Sequence, residues 1–363
     1  MRHSLSLRLP DGGGLANFET ALTQNIADLW LVPARKRVAQ HALDRTVLDA
    51  ARTAASIALD ARTAYVRAVH AAGQQVLARD QQAIADRLVE IALLRQQAGS
   101  GSEIDVNLAR TQKLEADVAV RNAALAATEA RSELARVLGI SASPESLVLA
   151  DDLAQPAHWA VRADGLHQVA REHRLDLRIA DQSVAVAEAG VREERVRFLK
   201  SVEAGFALER GERRSRGNRN WVPRESEGTD VILGPVFGVE LPLWDQNQAQ
   251  IARAERLYQQ TLLLRDALLV DAAQDIHSRL ARAQTAAENA RFYRDEQMPV
   301  TERSAQLSRE AYRAGRLSFL AVLEAERNLL AARSGYLATL EAAALATIEL
   351  ERVTGRPAAA LLE

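Results

Sequence analysis

The 363-residue chain is long enough for two ordinary domains, yet only 4% of it is aromatic against 48% apolar, so small side chains must fill its interior. A formal net charge of −2 argues against a nucleic-acid partner, and the absence of cysteine excludes disulfides, thiol catalysis and cysteine-based zinc sites. No run of about 18 apolar residues occurs, so no transmembrane helix is expected; a transmembrane β-barrel, whose strands alternate, would show no such run.

Residues 4–9 alternate polar and apolar, Asp11-Gly12-Gly13-Gly14 reads as a turn, and 16–31 is strand-like, with Phe18, Thr20 and Leu22 on one side. Trp30 and Pro33 close this hairpin. From Ala34 to Gln97 there is no proline and Gly73 is the only glycine, while apolar residues and alanine recur at helical spacing. At roughly 1.5 Å per residue this predicts about 95 Å of helix, in one piece or two, and a pattern of that length points to a coiled coil. Gly99-Ser100-Gly101-Ser102 is a break; helix resumes by Ile104 and stops at Gly139 in the manner of a C-cap.

Residues 140–164, with Pro144 and Pro156, read as a linker, and a helix is expected over 166–199. Val202, Ala204, Phe206 and Leu208 then alternate with Glu203, Gly205, Ala207 and Glu209, the period of a strand with one apolar and one wet face. Its partner is expected over 231–243, with Phe237, Val239 and Leu241 on one face and Pro242 at the end. Between them runs a loop from Arg210 to Asp230 with six arginines, read as soluble in preference to a lipopolysaccharide contact. Helix is expected over 247–298, a joint at Pro299, helix to Arg313, a break at Ala314-Gly315, and a last helix over 318–352 that stops at Gly355. Val322, Leu329, Tyr336, Ala343 and Leu350 lie seven apart, which implies a left-handed supercoil.

The two halves match without gaps at an offset of 216 residues, the spacing from Gly99 to Gly315. At this offset Ser102 meets Ser318, Val106 meets Val322, Leu114 meets Leu330, Glu133-Leu134 meets Glu349-Leu350, and Arg136-Val137-x-Gly139 meets Arg352-Val353-x-Gly355. The chain is therefore read as a duplication: 1–139 is repeat unit 1, 140–164 a linker, 165–357 repeat unit 2 and 358–363 a tail. Each unit holds a strand pair and a long helical hairpin, and unit 2 adds a helix before its strands. Neither long helices nor strand pairs bury enough by themselves, so both call for neighbours in an oligomer.

Three segments carry a family resemblance: the tip Ala98-Gly99-Ser100-Gly101-Ser102-Glu103-Ile104-Asp105-Val106-Asn107, its partner from Tyr312 to Ala325, and the strand-to-helix join from Gly234 to Gln248. In order, spacing and duplication the chain resembles the TolC-like outer-membrane factors over about residues 4–357. Its Pro-Leu-aromatic-Asp-x-Asn-Gln join is similar to the heavy-metal subgroup, CusC- and CzcC-like. The resemblance implies a mainly α fold with a small β part: a homotrimer whose coiled-coil hairpins form an α-barrel in the periplasm and whose four strands per protomer join a transmembrane β-barrel. It implies contact with outer-membrane lipid, a periplasmic adaptor (membrane fusion) protein and an inner-membrane RND-type pump, with heavy-metal cations as the exported cargo. It also implies an export signal and a first helix upstream of Met1.

The resemblance puts Gly99 and Gly315 at the periplasmic tip, where the channel gates and the adaptor docks. Glu324 aligns with an acidic position that rings the pore constriction; its companion acidic position is Ala321 here. Asp105 occupies the position that latches the closed tip. Its basic partner position is Leu317, so Arg316, beside the helix-starting Ser318, is the substitute. Glu203, Glu209 and Glu240 are expected to face the lumen.

No chemistry competes with this reading. The seven histidines show no metal-binding helical spacing, and His167 and His173, six apart, do not share a face. No G-x-S-x-G, Walker loop or G-x-G-x-x-G is present. No catalytic residue, cofactor, metal site or nucleic-acid partner is expected. The competing class is a soluble coiled-coil scaffold or adaptor without a barrel.

Overall fold

An unbroken 70-residue helix, α1 (Asp28–Gln97), is the longest element. Its buried residues mix leucine and valine with Ala64, Ala68, Ala85 and Ala92, and alanine has the highest helix propensity and lets neighbours approach closely. The computed structural model describes residues 2–8, 17–141, 143, 146–150, 152–157, 159, 161–197, 202–213, 228–239 and 246–361. Strands β1 (Arg2–Arg8) and β2 (Asn17–Asn25) precede α1. After it come α2 (Glu103–Leu138), α3 (Ala163–His173), α4 (Leu175–Val196), β3 (Val202–Arg213), β4 (Gly228–Val239) and α5 (Gln248–Phe292). A π turn (Tyr293–Gln297) leads into α6 (Met298–Arg313), then α7 (Phe319–Thr354) and a 3-10 turn (Ala358–Leu361).

Several boundaries differ from the sequence expectation. Helix α1 starts at Asp28, not Ala34, so Trp30 is helical and Pro33 lies inside the helix. Pro33 has no N–H to offer the Leu29 carbonyl, so the helix runs one ladder bond short there. The single helix expected over 166–199 is two, because Arg174 is extended (φ −69°, ψ 114°). Its guanidinium is held locally by Asp176 at 2.8 Å and, more loosely, by Asp275 of α5 at 3.4 Å. The joint expected at Pro299 falls just ahead of it, in the π turn. Proline at 299 offers no N–H and its ring would strike the carbonyl of residue 295, so the helix widens through 293–297. Strands β3 and β4 reach four and three residues further into the expected loop, with Arg210 opposite Val231 and Arg213 opposite Gly228. The Asp11–Gly14 turn, Glu240, Leu241, Pro242 and the rest of the arginine-rich loop lie outside the described residues.

The chain forms two compact units. The first takes residues 1–47 and 179–266, the second residues 48–178 and 267–363, so each draws on both sequence repeats. In the first unit the strands form an antiparallel sheet, ordered β1-β2-β3-β4. The Ile26 N–H donates to the Val202 carbonyl at 2.7 Å, fixing the start of α1 against β3. Ala27 and Leu31 at the start of α1 are buried, as are Ala187, Ala189 and Val191 of α4. In the second unit one core gathers Trp159, Leu166, Ala170, Ile276, Leu280 and Leu350, so the linker between the repeats is anchored by its tryptophan. A smaller core joins Ala64 and Ala68 of α1 to Leu134 of α2. A third, at the helical turns, holds Leu88, Val106, Tyr312, Phe319 and Val322. Along α7 the seven-residue series is the buried one: Val322, Leu329, Ala343 and Leu350 are buried and Tyr336 half-buried.

Candidate functional site

The two tip turns share the bonds that close them. Gly99 and Gly315 both adopt the left-handed conformation, with φ of 72° and 74°. Ser100 N–H donates to the Arg95 carbonyl at 2.9 Å and Gly99 N–H to Gln96 at 3.0 Å; Arg316 N–H donates to Ala311 at 2.9 Å and Gly315 N–H to Tyr312 at 3.0 Å. These paired bonds satisfy the last carbonyls of α1 and α6. Each returning helix then starts on a serine N-cap: Ser102 Oγ accepts from the Asp105 N–H at 3.2 Å and Ser318 Oγ from the Ala321 N–H at 3.4 Å. Each ends on a left-handed glycine, Gly139 (φ 67°) or Gly355 (φ 72°).

What is not repeated is the fastening between the turns. Arg95 Nη1 donates to the Tyr312 carbonyl at 2.5 Å, and Nη2 donates to the Ser100 carbonyl at 3.0 Å. The same guanidinium stacks over the Tyr312 ring, 4.4 Å from its centroid, and that ring meets Phe319 edge-on at 5.6 Å. Tyr312 is almost fully buried, and burial pushes its phenol upward; the nearby Asp105 charge adds to this and Arg95 opposes it. At the repeat offset Arg95 corresponds to Ala311 and Tyr312 to Gln96, so the clamp exists in one direction only.

The structure thus brings Gly99, Gly315, Ser318 and Asp105 to the tip turns, with the half-buried Asp105 in the first turn of α2. Leu317 packs against the tip core. Arg316 is exposed, and among the described residues it makes no ion pair with Asp105 in this single chain. Glu324 is exposed on α7. Two residues next to these were not picked out. Arg95 looks like any surface arginine in the sequence; its signal is the break in repeat symmetry at Ala311. Glu326, two positions past Glu324, is about 1% exposed. Its carboxylate lies 2.9 Å from Arg309 Nε, but that N–H donates to the Ala305 carbonyl. Burial pushes the Glu326 carboxyl upward, against the pull of Arg309 and Arg333.

At the other unit, directly paired residues share a sheet face. One face carries Leu22, Val202, Ala204, Phe206, Leu208, Leu233, Pro235, Phe237 and Val239, with Thr20 and Gln24 of β2 its polar members; Phe206 is 65% and Phe237 76% exposed. The other carries Ala21, Thr23, Asn25, Glu203, Ala207, Gly234, Val236 and Gly238. Glu203 therefore sits opposite the apolar face; the Glu209 side chain and Glu240 lie outside the described residues. Of the join motif, Asn247 is described. It is buried with φ 66°, and its amide donates to the Glu194 carbonyl at 2.9 Å and carboxylate at 2.7 Å, tying the start of α5 to the end of α4. No described helix is long and apolar enough to cross a membrane.

The profile of the outer membrane efflux protein family matches residues 166–356, just over half of the chain. Three solved structures share the fold. The outer-membrane channel OprN is 18% identical, with a TM-score of 0.74 over 98% of this chain and 80% of that one. CusC, whose structures concern folding and transmembrane channel formation, is 18% identical, with a TM-score of 0.74 over 98% and 82%. The outer membrane protein VceC from Vibrio cholerae is 17% identical, with a TM-score of 0.71 over 98% and 86%. Comparison with curated proteins gives no match. Duplicated hairpins, small sheet and profile agree: the chain belongs to the outer membrane efflux protein family.

Proposed function

We propose that three copies of this chain form the exit duct of a tripartite efflux pump, in the outer membrane and reaching into the periplasm. The observation that carries the reading is the two-faced sheet. An exposed face of Phe206, Leu233 and Phe237, backed by a face of alanine, glycine, threonine and glutamate, suits a wall between lipid and a watery lumen. A four-stranded sheet has two open edges, which lipid does not tolerate; further copies close them into a barrel. A soluble scaffold leaves that apolar face in water without a use. The duplicated tip is the end at which an adaptor and an RND-type pump deliver cargo. The join around Asn247 favours heavy-metal cations as that cargo, and the three Glu324 carboxylates are the ring that favours cations.

The test is extraction of the full chain, exported with a signal sequence, from outer membranes into detergent. Threefold particles by electron microscopy and cation-selective conductance in planar bilayers are expected, with selectivity falling in Glu324→Gln. Soluble monomers that give no conductance would sink the duct reading. Metal tolerance of a pump-competent host lacking its own duct tests the cargo separately.

A further inference from the structure

Away from the tip, the structure brings together two histidines that are 110 residues apart in the chain. His167 of α3 and His277 of α5 have their Nε2 atoms 3.2 Å apart, with ring centroids at 5.0 Å and planes inclined by 59°. The rings are thus not stacked; each turns a ring nitrogen towards the other. The helices beneath hold them there, because the residue before each histidine, Leu166 and Ile276, is about 1% exposed in one shared core. A pair borne on two packed helices is positioned before any ligand arrives.

Imidazole binds Zn²⁺ at about 2.0–2.1 Å, so two ligating nitrogens lie about 3.3 Å apart at a tetrahedral angle and about 2.9 Å apart at a right angle. The observed 3.2 Å falls between these spans. Without a metal, one neutral ring donates its N–H to the other, and a cation takes that proton's place. Among the described residues no third histidine or carboxylate completes a cluster, so water holds the remaining positions. Two nitrogens select a borderline cation over Mg²⁺ or Ca²⁺, which require oxygen.

We propose that His167 and His277 form a site for one borderline divalent cation, of the Zn²⁺, Ni²⁺ and Cu²⁺ class, that staples α3 to α5. The site is independent of the cargo that the duct carries.

The test is calorimetric titration of the tag-free full chain with Zn²⁺ at neutral pH. One site is expected, weakened at least tenfold in His167→Asn and in His277→Asn. It should survive in His70→Asn, which alters a separate histidine 3.1 Å from Glu341. Saturating Zn²⁺ should also raise the melting temperature of the parent and not of the two site variants, while Mg²⁺ raises none. Both histidines are partly exposed, so asparagine keeps the fold, and circular dichroism verifies it. Either single variant binding Zn²⁺ as the parent does, or a parent no tighter than the double variant, overturns the site.

Discussion

Arg95 fastens both halves of Tyr312: its guanidinium lies 4.4 Å from the ring centroid while the same group donates to the Tyr312 carbonyl at 2.5 Å. One side chain at the end of α1 therefore ties down the last turn of α6, and through the Ser100 carbonyl its own turn as well. The paired main-chain bonds at Gly99–Ser100 recur at Gly315–Arg316, but this tie does not. A duplicated hairpin pair is given a lock that only one copy supplies.

Arg95→Ala should loosen the tip and leave the rest of the chain alone. Hydrogen bonds to a charged donor contribute about 1.5–3 kcal/mol each and a cation–π contact about 0.5–2 kcal/mol, with incomplete additivity. A local loss of about 2–3 kcal/mol corresponds to roughly 30- to 150-fold faster amide exchange. It should be confined to the segments around 93–102 and 309–318. Arg95→Lys should recover part of the loss, since it keeps the charge but not the fork. Unchanged exchange at both turns would mean that the clamp is idle.

How much of this was readable in advance follows from how local each cause is. Ser102, Gly139, Ser318 and Gly355 each act on backbone within a few residues, and each stands where the sequence placed a helix end. The break at Arg174 is held by polar contacts to Asp176 and Asp275, and the π turn depends on how a helix absorbs Pro299, so neither shows in the apolar pattern. Arg95 and Tyr312 are 217 residues apart and His167 and His277 are 110 apart; such pairs exist only once the helices pack. The strands were legible as alternation, but their length was not. Charged residues such as Arg210 and Arg213 read as loop, and cross-strand pairing overrides that preference.

The caps offer a paired experiment. Ser102→Ala and Ser318→Ala should each cost about 1 kcal/mol. The two C-cap glycines should part company. A Cβ on Gly139 meets nothing within 4 Å, whereas one on Gly355 comes within 2.7 Å of the His173 carbonyl oxygen. Both alanine variants bear the left-handed strain, but Gly355→Ala must also push away the α3–α4 joint. Thermal melting should rank Gly355→Ala well below Gly139→Ala; equal midpoints would show that the joint yields freely.

The proposed barrel wall makes the two sheet faces unequal. Phe237→Arg puts a charge on the face assigned to lipid and should cost about 2–4 kcal/mol if it lies near the bilayer midplane. Ala207→Arg puts the same charge on the opposite face and should be tolerated. Yield of heat-stable oligomer in outer-membrane fractions reads the difference. Similar yields for both variants would remove the main support for a membrane barrel.

Glu326 predicts a pH dependence of definite sign. Burial raises its folded pKa above the unfolded value, with Arg309 and Arg333 opposing. The folded state therefore holds this proton more tightly than the unfolded state does. Its stabilisation is complete below the unfolded value, about 4.3, and is lost as pH rises through the folded value. Once ionised, the parent's carboxylate is a buried charge whose oxygens accept no hydrogen bond among the described residues. Glu326→Gln removes that charge, and Arg309, one-third exposed, is free to turn to water. The variant should therefore be more stable by about 1 kcal/mol at pH 7.5. Its advantage should shrink towards pH 4, where the parent is protonated as well. Melting curves of parent and variant across that range decide the sign: a variant that is weaker at pH 7.5 and level at pH 4 would make the Arg309 pair a net support of the α6–α7 hairpin.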